Sequence, residues 1–320
     1  MVYETFLETV KNSLKETLGT EFSLSLQSVQ KNNGLLLDGL CIGKAGERAA
    51  PTIYLNQFYQ EFRFGRPLED ILSDILSLYH SSLLTGSPPF EELLLPDQVK
   101  NKVIFRLINK TANEELLNII PHIPYPGLDL ALVFCLTLQK TEDSLMTALI
   151  HNSHLNTWGF STDDLFLAAK TNTPRLFPAR IRSLSQVITD IARETVEKEL
   201  EEALEEFFLT PPLSPPMFVL TNSTGMNGAS SLFYEGILKD FANANDSDLI
   251  ILPSSIHEVL IIPYSDSISL EELGDTVFSI NQEEVPEEDR LSNHIYYYSK
   301  SENNLTIAFT SSALIGTKNP

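Results

Sequence analysis

The chain has 320 residues, 42% hydrophobic and 20% charged, and its 43 acidic against 22 basic side chains give a formal net charge of −21. There is enough apolar material for more than one core, since single cores stop growing near this length, and the composition lies far from that of a disordered chain. Nucleic-acid binding is excluded, because it draws on Lys and Arg that no stretch here concentrates, and anionic membrane surfaces are disfavoured for the same reason.

Acidity of this size is read first as a device for solubility and second as a surface for a basic partner. Only Cys41 and Cys135 are present, without a CxxC pair or a Cys/His cluster. Neither a disulfide framework nor a structural zinc site follows, no metal or cofactor is expected, and a reducing, cytoplasmic location fits.

In chain order, Tyr3, Phe6, Leu7, Val10, Leu14 and Leu18 form one apolar stripe broken by Glu4, Glu8, Lys11 and Lys15, which predicts a helix rather than a signal peptide. No apolar run reaches bilayer-spanning length. Phe22 to Val29, Asn32-Asn33-Gly34 and Leu35 to Ile42 predict a hairpin, followed by a short strand over Thr52 to Leu55. Helical spacing runs from Phe58 to Leu83, broken at Gly65-Arg66-Pro67, and breaker residues at Gly86-Ser87-Pro88-Pro89 close a first α+β unit, 1–95.

A central unit, 96–209, reads as a strand over Val103 to Ile108, a helix over Glu114 to Ile120, two strands over Leu128 to Leu138 and Ser144 to Ile150, and a helix over Thr162 to Lys170 with Ser161 as its N-cap. A long amphipathic helix from Leu184 to Phe207 carries Glu199, Glu201, Glu202, Glu205 and Glu206 on its outer face. Thr210-Pro211-Pro212-Leu213-Ser214-Pro215-Pro216 then reads as a linker.

The C-terminal unit, 217–320, reads βαββαββ. Its strands are Met217 to Leu220, Leu249 to Leu252, Glu258 to Ile262, His294 to Tyr298 and Leu305 to Phe309, and its helices are Ser230 to Ala242 and Leu270 to Asn281. The fold class is α+β, with mixed, antiparallel-rich sheets and helices packed on them. A weak repeat pairs Ser161 to Leu165, Asn172 and Pro178 with Ser269 to Leu273, Asn281 and Pro286. Duplication of a strand-strand-helix unit is one explanation, and the common form of capped helices is the other.

Pro51-Thr52-Ile53-Tyr54-Leu55, Asp129-Leu130-Ala131, Asn152-Ser153-His154-Leu155, Ala169 to Pro174, Leu252 to Glu258 and Leu291 to Tyr298, taken in order, resemble the Domain of Unknown Function 5688 family of bacterial proteins nearly end to end. The stretch from Gly228 to Pro253 more distantly resembles the C-terminal part of YtpQ-type uncharacterised proteins, with Ser231 where an Arg is expected. The resemblance implies a bacterial, cytoplasmic protein and carries over no catalytic residue.

The most suggestive segment is Asn222-Ser223-Thr224-Gly225-Met226-Asn227-Gly228-Ala229-Ser230, between a strand and a helix start, where backbone amides can hold an anion. It lacks the endings of nucleotide motifs, and the plainer reading is a tight turn with a helix cap. Ser254, Ser255, His257 and Glu258 mix a nucleophile, a base and an acid, but no GxSxG elbow is present and local adjacency is not a triad. If the strands before these two loops lie side by side and parallel, the loops share one rim. The candidate ligand-binding residues are then Asn222, Gly225, Asn227, Gly228, Ser230, Ser254, Ser255, His257 and Glu258, with preference for an anionic or amide-bearing group.

His151 and His154 have metal-like spacing but fall where a strand passes into a turn, without supporting ligands. Tyr296-Tyr297-Tyr298 is read as a strand with Tyr297 on one face and its neighbours on the other. The sequence therefore points to a non-enzymatic binding or regulatory protein that recognises a protein or small ligand through the C-terminal unit. The alternative is a hydrolase or transferase using Ser254 or Ser255 with His257.

Overall fold

The computed structural model describes residues 1–44, 50–84, 95–140, 145–195 and 215–310. The chain divides into two compact units, Met1–Glu91 and Glu92–Pro320.

In the first unit, α1 (Tyr3–Leu18) buries Phe6, Val10 and Leu14, the i, i+4 stripe seen in the sequence. β1 (Phe22–Gln30) and β2 (Leu36–Lys44) pair as an antiparallel hairpin, and β3 (Thr52–Tyr54) pairs antiparallel with β2. The hairpin turns through Asn33 and Gly34, both at positive φ, where Asn and Gly are the residues that meet least steric resistance. α2 (Asn56–Arg63) and α3 (Leu68–Leu84) are separated at Gly65, and Arg66 ties the corner by donating to Glu61 at 2.5 Å and Asp74 at 2.6 Å. Leu40, Ile42, Leu55, Ile71, Ile75 and Tyr79 complete a core with the α1 stripe. Each such burial contributes about 2 kcal/mol relative to exposure.

The second unit holds two sheets. In one, α4 (Pro96–Lys102) leads into β4 (Val103–Asn109), α5 (Glu114–Leu117) and β5 (His122–Pro124) follow, and β6 (Leu130–Lys140) is the central strand. The order is β4-β6-β5, with β7 (Leu145–Leu149) also paired to β6. α6 (Asn152–Trp158) and α7 (Thr162–Leu176) come next. Ser161 caps α7, accepting from the Asp164 amide at 3.2 Å, while Asp164 accepts from the Ser161 amide at 2.9 Å. The Ser161 hydroxyl, which donates to Asp164 Oδ2 at 2.7 Å, and then the Ser161 amide draw the Asp164 carboxyl below its ordinary value.

The other sheet contains β8 (Ala179–Ser183), β9 (Phe218–Asn222), β10 (Leu249–Leu252), β11 (Val259–Pro263), β12 (His294–Ser299) and β13 (Asn304–Thr310), in the order β13-β12-β10-β11-β9-β8. Every pairing in both sheets is antiparallel. Between these strands lie α8 (Leu184–Thr195), a 3-10 segment over Gly228–Phe233, α9 (Ile237–Ala244) and α10 (Leu270–Glu283). Ser269 caps α10 by accepting from the Glu272 amide at 3.3 Å.

One apolar cluster draws on both sheets, with Phe105, Leu132 and Phe134 from the first and Leu220, Ile251, Ile261 and Tyr296 from the second. Leu165 and Ala169 of α7 join it. Ile250, Leu252, Ile262 and Ile295 pack instead with Val277 of α10. Ile250 and Ile251 serve different clusters because consecutive strand residues point to opposite faces. The α+β class is thus built from two antiparallel sheets with helices packed against them.

Several elements differ from the sequence expectation. The helix expected over Ser230 to Ala242 is a 3-10 segment and then α9, divided at Gly236, whose φ of 85 does not continue a helix. His154 lies on α6 rather than in a turn. α4, β5, α6 and β8 are short elements that the periodicity does not mark. Of the long helix expected to Phe207, the described part is α8. The remainder, the linker as far as Ser214, and Gly86 to Pro89 lie outside the described residues. Among the described residues no helix is long and apolar enough to cross a membrane.

Candidate functional site

β9 and β10 are not neighbours, as the rim argument supposed. β11 lies between them, antiparallel to both, so β9 and β10 nonetheless run in the same direction and their following loops emerge at one edge. The loops touch. Thr221 donates its hydroxyl to the His257 carbonyl at 2.8 Å, the Asn227 amide donates to His257 Nδ1 at 3.3 Å, and the Ala229 amide donates to the Ile256 carbonyl at 3.1 Å.

Within the first loop, Asn222 is buried and its side chain closes the turn. Nδ2 donates to the Met226 carbonyl at 2.9 Å, and Oδ1 accepts from both the amide and the hydroxyl of Thr224 at 2.9 Å. Gly225 and Asn227 take positive φ values of 72 and 51. At Gly228 a Cβ would run into the Thr221 hydroxyl, the His257 carbonyl and the Asn222 amide, so glycine is what lets the loops approach. Ser230 is buried in the 3-10 segment, and its hydroxyl finds no hydrogen-bond partner among the described residues.

In the second loop, the Leu291 and Ser292 amides donate to the Ser254 and Pro253 carbonyls at 3.0 and 2.8 Å, and the Ile256 amide donates to the Asp289 carbonyl at 2.8 Å. Residues 253–257 are thereby stitched to 289–292. Ser255 accepts from the His257 amide at 2.9 Å. Because His257 Nδ1 accepts from Asn227, its ring proton sits on Nε2, which donates to Asp289 Oδ1 at 3.2 Å. Both ring nitrogens are therefore engaged, and neither bonds a serine hydroxyl. Ser254 and Glu258 are half-exposed beside them.

His151 and His154 form part of a helix start, in which the His151 amide donates to His154 Nδ1 at 3.1 Å. Burial, with a smaller contribution from His151, holds His154 below its ordinary pKa. No group of His, Cys, Asp and Glu able to hold a metal ion occurs among the described residues.

Residue-by-residue reading missed the cluster at Asp129. Tyr296 donates to Asp129 Oδ1 at 2.5 Å, while Ser292 Oγ and Asn109 Nδ2 donate to Oδ2 at 2.8 Å each. Asn109 also donates to the Leu291 carbonyl at 2.9 Å, and His294 Nε2 stands 3.8 Å from the carboxylate. Burial pushes the Tyr296 phenol well above 10, with the Asp129 charge adding to it. The available signal was the pair of motif segments Asp129-Leu130-Ala131 and Leu291 to Tyr298, which meet here. Three neutral donors satisfy the carboxylate, so the cluster works as a tie between sheets. Tyr296 and Tyr298 are buried, and Tyr297 on the other face donates to Asp248.

These observations define an α+β protein whose two strand-end loops meet at a polar junction closed by its own hydrogen bonds. The chain belongs to the family of unknown function DUF5688, whose family model matches residues 3–300. No curated protein and no solved structure matches it. The likeness of Gly228 to Pro253 to YtpQ-type proteins is not shown.

Proposed function

We propose that this is a bacterial, cytoplasmic, non-enzymatic binding or regulatory protein that recognises a protein or small ligand at the rim formed by the loops after β9 and β10. The observation that supports it is the state of His257, whose ring nitrogens are held by the Asn227 amide and Asp289. An imidazole so engaged is not free to take a proton from Ser254 or Ser255, which a serine hydrolase requires. Asn222, Gly228, Ser255 and His257 set the shape of the rim, and the half-exposed Asn227 and Ser254 side chains offer it an amide and a hydroxyl. Such groups suit an anionic or amide-bearing ligand.

The test is titration calorimetry with inorganic phosphate, L-asparagine and L-glutamine. Asn227→Gly removes only the side chain, because glycine accepts the positive φ at that position. The wild type is expected to bind at least one probe, with affinity reduced tenfold or more in Asn227→Gly and Ser254→Ala and an unchanged unfolding midpoint. Binding of none of the three overturns the reading. So does hydrolysis of p-nitrophenyl acetate that is lost in Ser254→Ala or Ser255→Ala.

A further inference from the structure

We propose that the outer edge of β8, with the cavity beside α8, is a docking site for an extended acidic peptide segment of a protein partner, which adds to the sheet as a further strand. This site uses none of the rim residues and stands or falls apart from the function proposed above.

The first ground is an open row of backbone groups. Among the described residues, β8 ends the six-stranded order and pairs along one side only, with β9. The Leu184 amide donates to the Met217 carbonyl at 2.8 Å, one step beyond the Ser183–Phe218 pair. Hydrogen-bonded pairs alternate in an antiparallel ladder, so Leu184, Arg182 and Arg180 bond towards β9, while Ala179, Ile181 and Ser183 turn their N–H and C=O groups outward. The Ser183 amide is closed by Gln186 Oε1 at 3.3 Å. Among the described residues, Ala179 and Ile181 face no strand on that side.

The second ground is charge. β8 and α8 together carry Arg180, Arg182 and Arg193 against Asp190 and Glu194, an excess of basic groups in a chain of net charge −21. Arg182 is paired to Asp190 at 2.9 Å, whereas Arg180 and Arg193, both exposed, have no ion-pair partner among the described residues. The third ground is shape. Arg182, Val187, Asp190, Ile191 and Arg193 line a cavity of about 370 Å³, and Ile188 and Ile191 are exposed beside it.

Together these fix the occupant. An outward backbone row takes an extended chain, and directly opposed side chains across a ladder interact, so a segment alternating carboxylates with apolar residues sets its acids against Arg180 and Arg182. A second copy of this protein is disfavoured, because two β8 edges would set arginines against arginines and bring together two chains of the same strong charge. Nucleic acid is disfavoured by the overall charge.

The test uses fluorescence anisotropy of a labelled peptide, acetyl-Val-Glu-Ile-Glu-Val-Glu-amide, against the intact chain. Its lysine counterpart and the same acidic peptide N-methylated at every residue, which has no backbone N–H left on either edge to pair with a strand, serve as controls. The acidic peptide is expected to bind, to weaken at least tenfold in Arg180→Glu/Arg193→Glu and in Ile181→Pro, and to lose affinity with added salt. The N-methylated and lysine peptides are expected not to bind. Ile181→Pro removes an outward N–H without breaking a bond to β9, and the N-methylated peptide asks the same question of the unaltered protein. Equal binding of the N-methylated peptide overturns strand addition, and equal binding of the lysine peptide overturns the role of the arginines. Absence of binding by the acidic peptide overturns the whole, leaving the arginines as charges that keep an open edge from aggregating.

Discussion

Tyr296 donates its phenolic hydroxyl to Asp129 at 2.5 Å, across 167 positions of sequence. Asp129 stands immediately before β6 and Tyr296 lies in β12, so one partly buried bond joins the two sheets of the second unit. Ser292 and Asn109 reach the same carboxylate from the β12 approach and the end of β4. A charged acceptor shared by three neutral donors is worth more than a neutral one, and its removal strands the Tyr296 and Ser292 hydroxyls while Asn109 Nδ2 keeps the Leu291 carbonyl.

Asp129→Ala is therefore expected to destabilise the second unit by about 3 kcal/mol or more, since each buried group left without a partner costs about 1–3 kcal/mol. Asp129→Asn keeps an acceptor oxygen and should lose less. Urea unfolding followed by tyrosine fluorescence ranks the variants; equal large losses would show that the charge rather than an acceptor oxygen carries the tie, and a loss below about 1 kcal/mol in both would show that the cluster contributes little.

Alkaline pH should weaken the fold. Burial holds the Tyr296 phenol well above 10 and Tyr234 at about 12, and the hydrogen bond to Asp248 raises Tyr297 to about 12. Below pH 10 folded and unfolded chains both keep these protons, and stability does not vary on their account. As pH rises through 10 the unfolded chain releases phenolic protons that the folded chain retains, so stability falls. The unfolding midpoint is expected to drop between pH 8 and pH 11, and to drop less in Tyr296→Phe. An identical slope in the variant would remove Tyr296 from the explanation.

Two glycines of the rim separate crowding from backbone conformation. Gly228→Ala must displace backbone atoms of His257 and Asn222, and is expected to cost about 3 kcal/mol, the upper part of the overpacking range. At Gly225 a Cβ meets open space, and only its positive φ resists substitution. Gly225→Ala should therefore cost about 1–2 kcal/mol. Chemical unfolding of both variants reads the difference, and the reverse order would mean that the loops do not approach as described.

What the sequence made legible follows from how local each signal is. The α1 stripe, the Asn33-Gly34 turn and the Ser161 cap are written within a few residues of one another, and all three stand in the structure. β8 was not legible, because Ala179-Arg180-Ile181-Arg182-Ser183 is short, half charged, and held as a strand only by its register with β9. The convergence of the two rim loops was anticipated, though through the wrong pairing, since nothing local tells a direct neighbour from one strand removed. Asp129 is marked only by its place in a motif segment, and nothing near it in sequence tells what it bonds, since its partners lie 20, 163 and 167 residues away.

The edge of β4 supplies the last prediction. β4 ends its sheet, so one side of it would expose unpaired backbone groups were it not covered by α7. Asn172 and Thr173, both buried, do the covering. Thr173 Oγ1 accepts from the Phe105 amide at 3.0 Å and donates to the Ala169 carbonyl at 2.7 Å, while Asn172 Nδ2 donates to the Lys100 and Val103 carbonyls at 2.8 and 3.0 Å. Thr173→Val preserves shape but leaves the Phe105 amide buried without an acceptor, a loss expected at about 1–3 kcal/mol. Thr173→Ser keeps the hydroxyl and gives up one methyl group, about 0.8 kcal/mol of burial. Serine should thus be tolerated better than valine, the reverse of the order that apolar burial alone would give. Urea unfolding of the two variants decides between these explanations, and hydrogen exchange at Phe105 should rise in the valine variant alone. If valine proves the more stable, packing rather than the hydroxyl holds α7 to the strand.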